Sequence, residues 1–105
     1  MLDYTQREKK FLPVKLIDGE TLFLCPPKKG LYTKLVSLEE KLNATEEVSE
    51  LYDEVTNLTA AILSDNKAKT AITPERVDEI MDIEDMAYLI FEYSKFAQQL
   101  IKNPN

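Results

Sequence analysis

The sequence predicts a mainly α (α+β) fold: a small helical domain of about four helices with an N-terminal β-hairpin. Three stretches carry that reading. From Ile83 to Lys102, Met86, Leu89, Ile90, Tyr93, Phe96, Ala97, Leu100 and Ile101 recur at three- and four-residue steps, the spacing that stacks side chains on one helical face. Between Glu46 and Ser64, Val48, Leu51, Tyr52, Val55, Leu58, Ile62 and Leu63 repeat the pattern with Glu47, Glu50, Asp53, Glu54 and Asn57 opposite. Around Asp18-Gly19, by contrast, apolar and polar residues alternate with a period of two.

In chain order, residues 1–10 are polar and read as a loose tail. Residues 11–25 form the hairpin. A two-residue type I′ loop at Asp18-Gly19 sets Leu16 opposite Thr21, Val14 opposite Phe23 and Leu12 opposite Cys25. That register collects Leu12, Val14, Leu16, Phe23 and Cys25 on one apolar face. Pro26-Pro27 end the second strand by removing its donors, and Lys28-Lys29-Gly30 turn the chain.

The helical part spans 31–102. A first helix, Leu31 to Leu42, aligns Leu31, Leu35, Leu38 and Leu42, and Asn43-Ala44-Thr45 breaks it and offers a cap for the helix from Glu46. Asp65-Asn66 stops that second helix, and Lys67 to Ile72 is a loop. Thr73-Pro74-Glu75 starts a short third helix through Met81: a hydroxyl cap, proline at the first position, then an acid. Asp82 caps the last helix, Asn103-Pro104-Asn105 ends it, and the other elements are expected to cover its wide apolar stripe.

Composition narrows the function classes. The 105 residues make a single domain, 1–105, that buries about two-thirds of the surface its unfolded chain exposes. A net charge of −6 argues against reading nucleic acid through its phosphates. No apolar run reaches the roughly 18 residues of a bilayer span, and the polar start lacks the apolar core of a signal peptide. One cysteine and no histidine leave no internal disulfide, disfavour a zinc site, and suit the cytoplasm. No cofactor, nucleic-acid partner or membrane partner is expected.

Nor does a catalytic constellation stand out. The six acids of TPERVDEIMDIED lack the alternating ligands, central glycine and closing glutamate of a calcium loop. Glu84 and Asp85 precede an amphipathic helix on its polar side, as solvated carboxylates do. Cys25 has no histidine to activate it and reads as a small buried hydrophobe. Two glycines are too few for a phosphate-cradling loop.

Two features point to binding. Tyr88 and Phe91 fall opposite the main stripe of the last helix, one turn apart and beside Lys95. They either pack beneath the hairpin or first helix, or form an exposed anchor for a partner. Charge is also lopsided: residues 1–30 hold six basic and four acidic residues, 31–105 seven and fifteen. Lys9, Lys10, Lys28 and Lys29 either solubilise the chain or meet Asp78, Glu79, Asp82 and Asp85 of a neighbouring copy head-to-tail, giving a homo-oligomer.

Most of the chain resembles the tail assembly chaperones of long-tailed bacteriophages and prophages of Gram-positive hosts. The resemblance lies in DGETLFLCPPKK, a helix running into ILSDNK, then ITPE, DIEDM, a helix with Tyr93 and Phe96, and the ending NPN. It implies a non-enzymatic protein of the host cytoplasm, absent from the mature virion. Such a protein binds the tape-measure protein in several copies, keeps it soluble, and helps recruit the tail-tube protein. It would correspond to the shorter of two frameshift products. The competing expectation is a small acidic prophage-encoded regulator of a host protein or nucleic acid.

Overall fold

The structure, a computed structural model, describes residues 3, 9–44 and 48–102. Its elements follow in the order β1 (Leu12–Lys15), β2 (Thr21–Leu24), α1 (Lys29–Ala44), a 3-10 turn (Val48–Leu51), α2 (Tyr52–Ser64), α3 (Pro74–Ile80) and α4 (Ile83–Lys102). Four helices and an N-terminal antiparallel hairpin are the fold expected. Most of the expected tail, the Thr45 cap and the Asn103-Pro104-Asn105 stop lie outside the described residues.

Helix starts follow local chemistry. The Thr73 hydroxyl accepts from the Arg76 amide at 3.1 Å with Pro74 in the first turn of α3. Asp82 and Asp85 cap α4 reciprocally: the Asp85 amide donates to Asp82 Oδ1 at 2.8 Å, and the Asp82 amide to Asp85 Oδ2 at 3.1 Å. This is an Asp version of the capping box, satisfying two amides that the helix cannot. Several boundaries differ from expectation. Lys29 and Gly30 belong to the first turn of α1 rather than to a preceding turn, and α1 runs on through Asn43 and Ala44, the expected break. Helix α3 ends at Ile80 rather than Met81. The described part of the second helix, whose expected start at Glu46 lies outside the described residues, opens with a 3-10 turn before its α-helical part at Tyr52.

The hairpin register is shifted by one residue from the expected one. Leu12 pairs with Leu24, Val14 with Leu22 and Lys15 with Thr21. The loop has three residues: the Gly19 amide donates to the Leu16 carbonyl at 2.9 Å, and the Leu16 amide to the Glu20 carbonyl at 2.7 Å. Gly19 takes φ +98°, the left-handed position that closes such a loop. A one-residue slip exchanges the two faces of a strand. Leu22 and Leu24 therefore join Leu16 in the core, while Phe23 turns outward and is half exposed. Cys25 lies beyond the strand end and is half-buried rather than enclosed.

The hub is α2, not the last helix. It packs against α1, α3, α4 and β2, and Val55, Thr56, Leu58, Thr59, Ala60, Ile62 and Leu63 are all buried along it. Thr56, Thr59 and Ala60 are small enough to let neighbours approach closely, so burial extends well around the helix. Helix α4 contributes Met86, Leu89, Ile90, Tyr93 and Ala97 to the same core, but Ile101, expected in its stripe, is 68% exposed. Past the end of α2, the Cys25 amide donates to the Asp65 carbonyl and the Lys67 amide to the Phe23 carbonyl, both at 2.8 Å. These bonds fasten the outer edge of β2 to residues 65–67, and among the described residues the outer edge of β1 has no paired strand.

Candidate functional site

Among the described residues three aromatic side chains are exposed, and two of them, Tyr88 and Phe91, share the outer face of α4. Tyr88 is 68% and Phe91 60% exposed, so neither ring packs beneath the hairpin or α1. The reason is geometric. Both lie near 180° around the helix from Met86, Tyr93 and Ala97, which point into the core. Lys95 Nζ stands 5.3 Å from the Phe91 ring centroid, a cation over an aromatic face. It also lies 3.6 Å from Glu92, one turn back on the same helix.

A groove of about 400 Å³ runs on each side of this ridge. One separates α4 from β1, with Val14, Ile17, Met81 and Tyr88 among its walls. The other separates α4 from the end of α1, with Leu42, Ile90, Phe91 and Lys95 among its walls. Ile17, at the hairpin tip, is 69% exposed and extends the apolar surface beyond the predicted pair. Its sequence signal was its place beside the Asp18-Gly19 turn, off the apolar face predicted for the hairpin.

The residues expected to mediate self-association separate toward the two ends of α2. Lys9 and Lys28 lie close enough to Cys25 to act on its thiol, and Cys25 is bonded to Asp65 at the C-terminal cap of α2. Burial, aided by Asp65, nevertheless pushes the Cys25 thiol above its ordinary value, so it is a poor nucleophile. Lys10 and Lys29 are also exposed. At the opposite end, the Tyr52 hydroxyl donates to Asp78 Oδ1 at 3.2 Å from the first residue of α2. That bond, with burial and the charges of Asp78, Asp82 and Asp53, holds the Tyr52 hydroxyl above its usual range. Glu79 is exposed nearby on α3, whereas Asp82 and Asp85 already serve as caps of α4.

Two anchoring residues escaped the sequence reading. Arg76 donates to Asp18 at 2.6 Å and to Glu20 at 2.7 Å, fastening the hairpin tip to α3. The guanidinium bond lowers the Asp18 carboxyl below its ordinary range. Asn66 is 3% exposed and bonds the carbonyls of Leu63 and Thr70 and the amide of Thr70. No local pattern announces the Arg76 pair, because Arg76 lies 56 residues from Glu20. The Asn66 partners are only three and four residues away, but the sequence marked Asn66 only as a helix stop.

Among the described residues no group of three or more Cys, Asp or Glu side chains is placed to hold a metal ion, and no helix is long and apolar enough to cross a membrane. No known protein family, curated protein or solved structure matches the chain.

Proposed function

We propose that this protein is a non-enzymatic assembly chaperone that binds apolar helical segments of a client through the outer face of α4. The observation that supports this reading is the exposure of Tyr88 and Phe91, on a rigid helix whose opposite face is locked in the core. Aromatic anchors on a preorganised surface lose little conformational freedom on binding, and such residues dominate the energy of protein interfaces. Lys95 supplies a cation at the edge of the patch for an acidic residue of the client. With the family resemblance added, the client is the tape-measure protein of a phage tail. Several copies of the chaperone keep it soluble until the tail-tube protein replaces them.

Polar separation of charge supports the multi-copy part of the proposal. Helix α2 has 13 residues and is about 20 Å long, with lysines near one end and carboxylates near the other. Copies aligned head-to-tail bring opposite charges together, in an association that salt weakens.

Co-expression with the tape-measure protein tests the reading. The client stays in the soluble fraction with this chain and precipitates without it. Tyr88→Ser with Phe91→Ser abolishes co-purification while the circular dichroism spectrum and melting temperature are retained. A client equally soluble alone, or capture undiminished by the double substitution, rules the mechanism out.

A further inference from the structure

The outer face of α4 has an internal symmetry. Glu84, Tyr88, Phe91, Lys95, Gln98 and Lys102 are spaced 4, 3, 4, 3 and 4 residues apart and all are exposed. At 100° per residue they fall within an arc of about 80°, centred opposite the core stripe. The spacing reads the same in both directions, so an antiparallel copy matches it residue for residue. Glu84 then faces Lys102, Tyr88 faces Gln98 and Phe91 faces Lys95, about a centre at the level of Tyr93. Every pair is chemically complementary: acid with base, phenol with amide, aromatic ring with ammonium.

From this we infer that a second copy of the chain docks on this face, the two α4 helices pairing antiparallel about a two-fold axis. The inference rests on the α4 face alone and holds whatever the client is. In a parallel pair, Glu84 would meet Glu84 and Lys95 would meet Lys95, so charge selects the antiparallel arrangement. The helix dipoles favour the same choice. Near the axis each Phe91 ring lies between the Lys95 of its own helix, already 5.3 Å from the ring centroid, and the Lys95 of the other copy. The seam is about 27 Å long, with two aromatic residues among six, and is smaller than a standard interface, so the dimer is weak and exchanges readily. It hides Tyr88 and Phe91 when no client is present and competes with a client helix for them.

The test is a charge exchange followed by sedimentation equilibrium at low salt, up to about 1 mM protein. Glu84→Lys and Lys102→Glu each turn two attractions into two repulsions and weaken the dimer about tenfold or more. An equimolar mixture of the two variants recovers the dimer as a heterodimer. The two substituted positions then face each other with opposite charge, and the unaltered Lys102 of one copy faces the unaltered Glu84 of the other. Recovery on mixing also shows that the single variants fold. The inference is overturned if the parent stays monomeric at the highest concentration, if either single variant dimerises as well as the parent, or if the mixture does not recover. Growth beyond two copies that mixing leaves unchanged would instead support head-to-tail chaining and count against this pairing.

Discussion

The Tyr93 hydroxyl donates to the Cys25 carbonyl at 2.8 Å, joining the most enclosed aromatic ring of α4 to the residue just after β2. The ring is fully buried and tilted against Phe96, with centroids 6.1 Å apart. One side chain thus fills the core and fixes where the hairpin lies over it. The same bond holds the helix that carries Tyr88 and Phe91 in a constant relation to β1, and so shapes the groove between them.

Tyr93→Phe keeps the ring and removes the donor. The Cys25 carbonyl loses a partner in a part-buried setting, so stability falls by about 1–2 kcal/mol. Tyr93→Ala also empties the core and costs about 3–5 kcal/mol. Urea unfolding followed by circular dichroism separates the two. Equal losses would show that the hydrogen bond, not the ring, carries the stabilisation.

Alkaline pH tests the same residue independently. Burial disfavours the phenolate, with Asp65 and Cys25 adding repulsion, so the Tyr93 hydroxyl is held above its ordinary value of 10.0. The folded value is the higher one. Its stabilisation is therefore complete below about pH 10 and is lost as pH rises beyond, where the unfolded chain releases its proton first. The urea midpoint falls above pH 10, and less steeply in Tyr93→Phe. Tyr52, also raised, keeps some slope in that variant. Superimposable profiles above pH 10 would refute the assignment to Tyr93.

Asn66→Ala removes both side-chain bonds to the Leu63 and Thr70 carbonyls and the one from the Thr70 amide. Stability drops by about 2–3 kcal/mol because buried polar groups are left unpaired. The bonds from residues 65–67 to β2 loosen with it, so amide exchange at Cys25 and Lys67 accelerates before global unfolding. Exchange unchanged at those two amides would show that the loop is held by something else.

Thr59→Val has the opposite sign. The Thr59 hydroxyl is buried with no hydrogen-bond partner among the described residues, and valine keeps its shape while removing the unmet polar atom. A gain of about 1 kcal/mol follows, read as a higher melting temperature. A loss would mean that the hydroxyl has a partner in solution.

Helix positions were legible in the sequence because apolar spacing and capping residues are local: Thr73-Pro74-Glu75 and Asp82 start α3 and α4 through atoms three residues away. The hairpin was legible too, but not its register. Asp18-Gly19 fits either a two- or a three-residue loop, and the choice fell to the tertiary structure, which buries Leu22 and Leu24 against α2 and gives Arg76 to Asp18 and Glu20. The central place of α2 was likewise hidden, since Thr56, Thr59 and Ala60 become core residues only when neighbours close around them. At the candidate site, periodicity set Tyr88 and Phe91 apart from the core stripe. Whether another element would cover them depended on where the hairpin and α1 dock, through contacts between residues distant in the chain that no local spacing encodes.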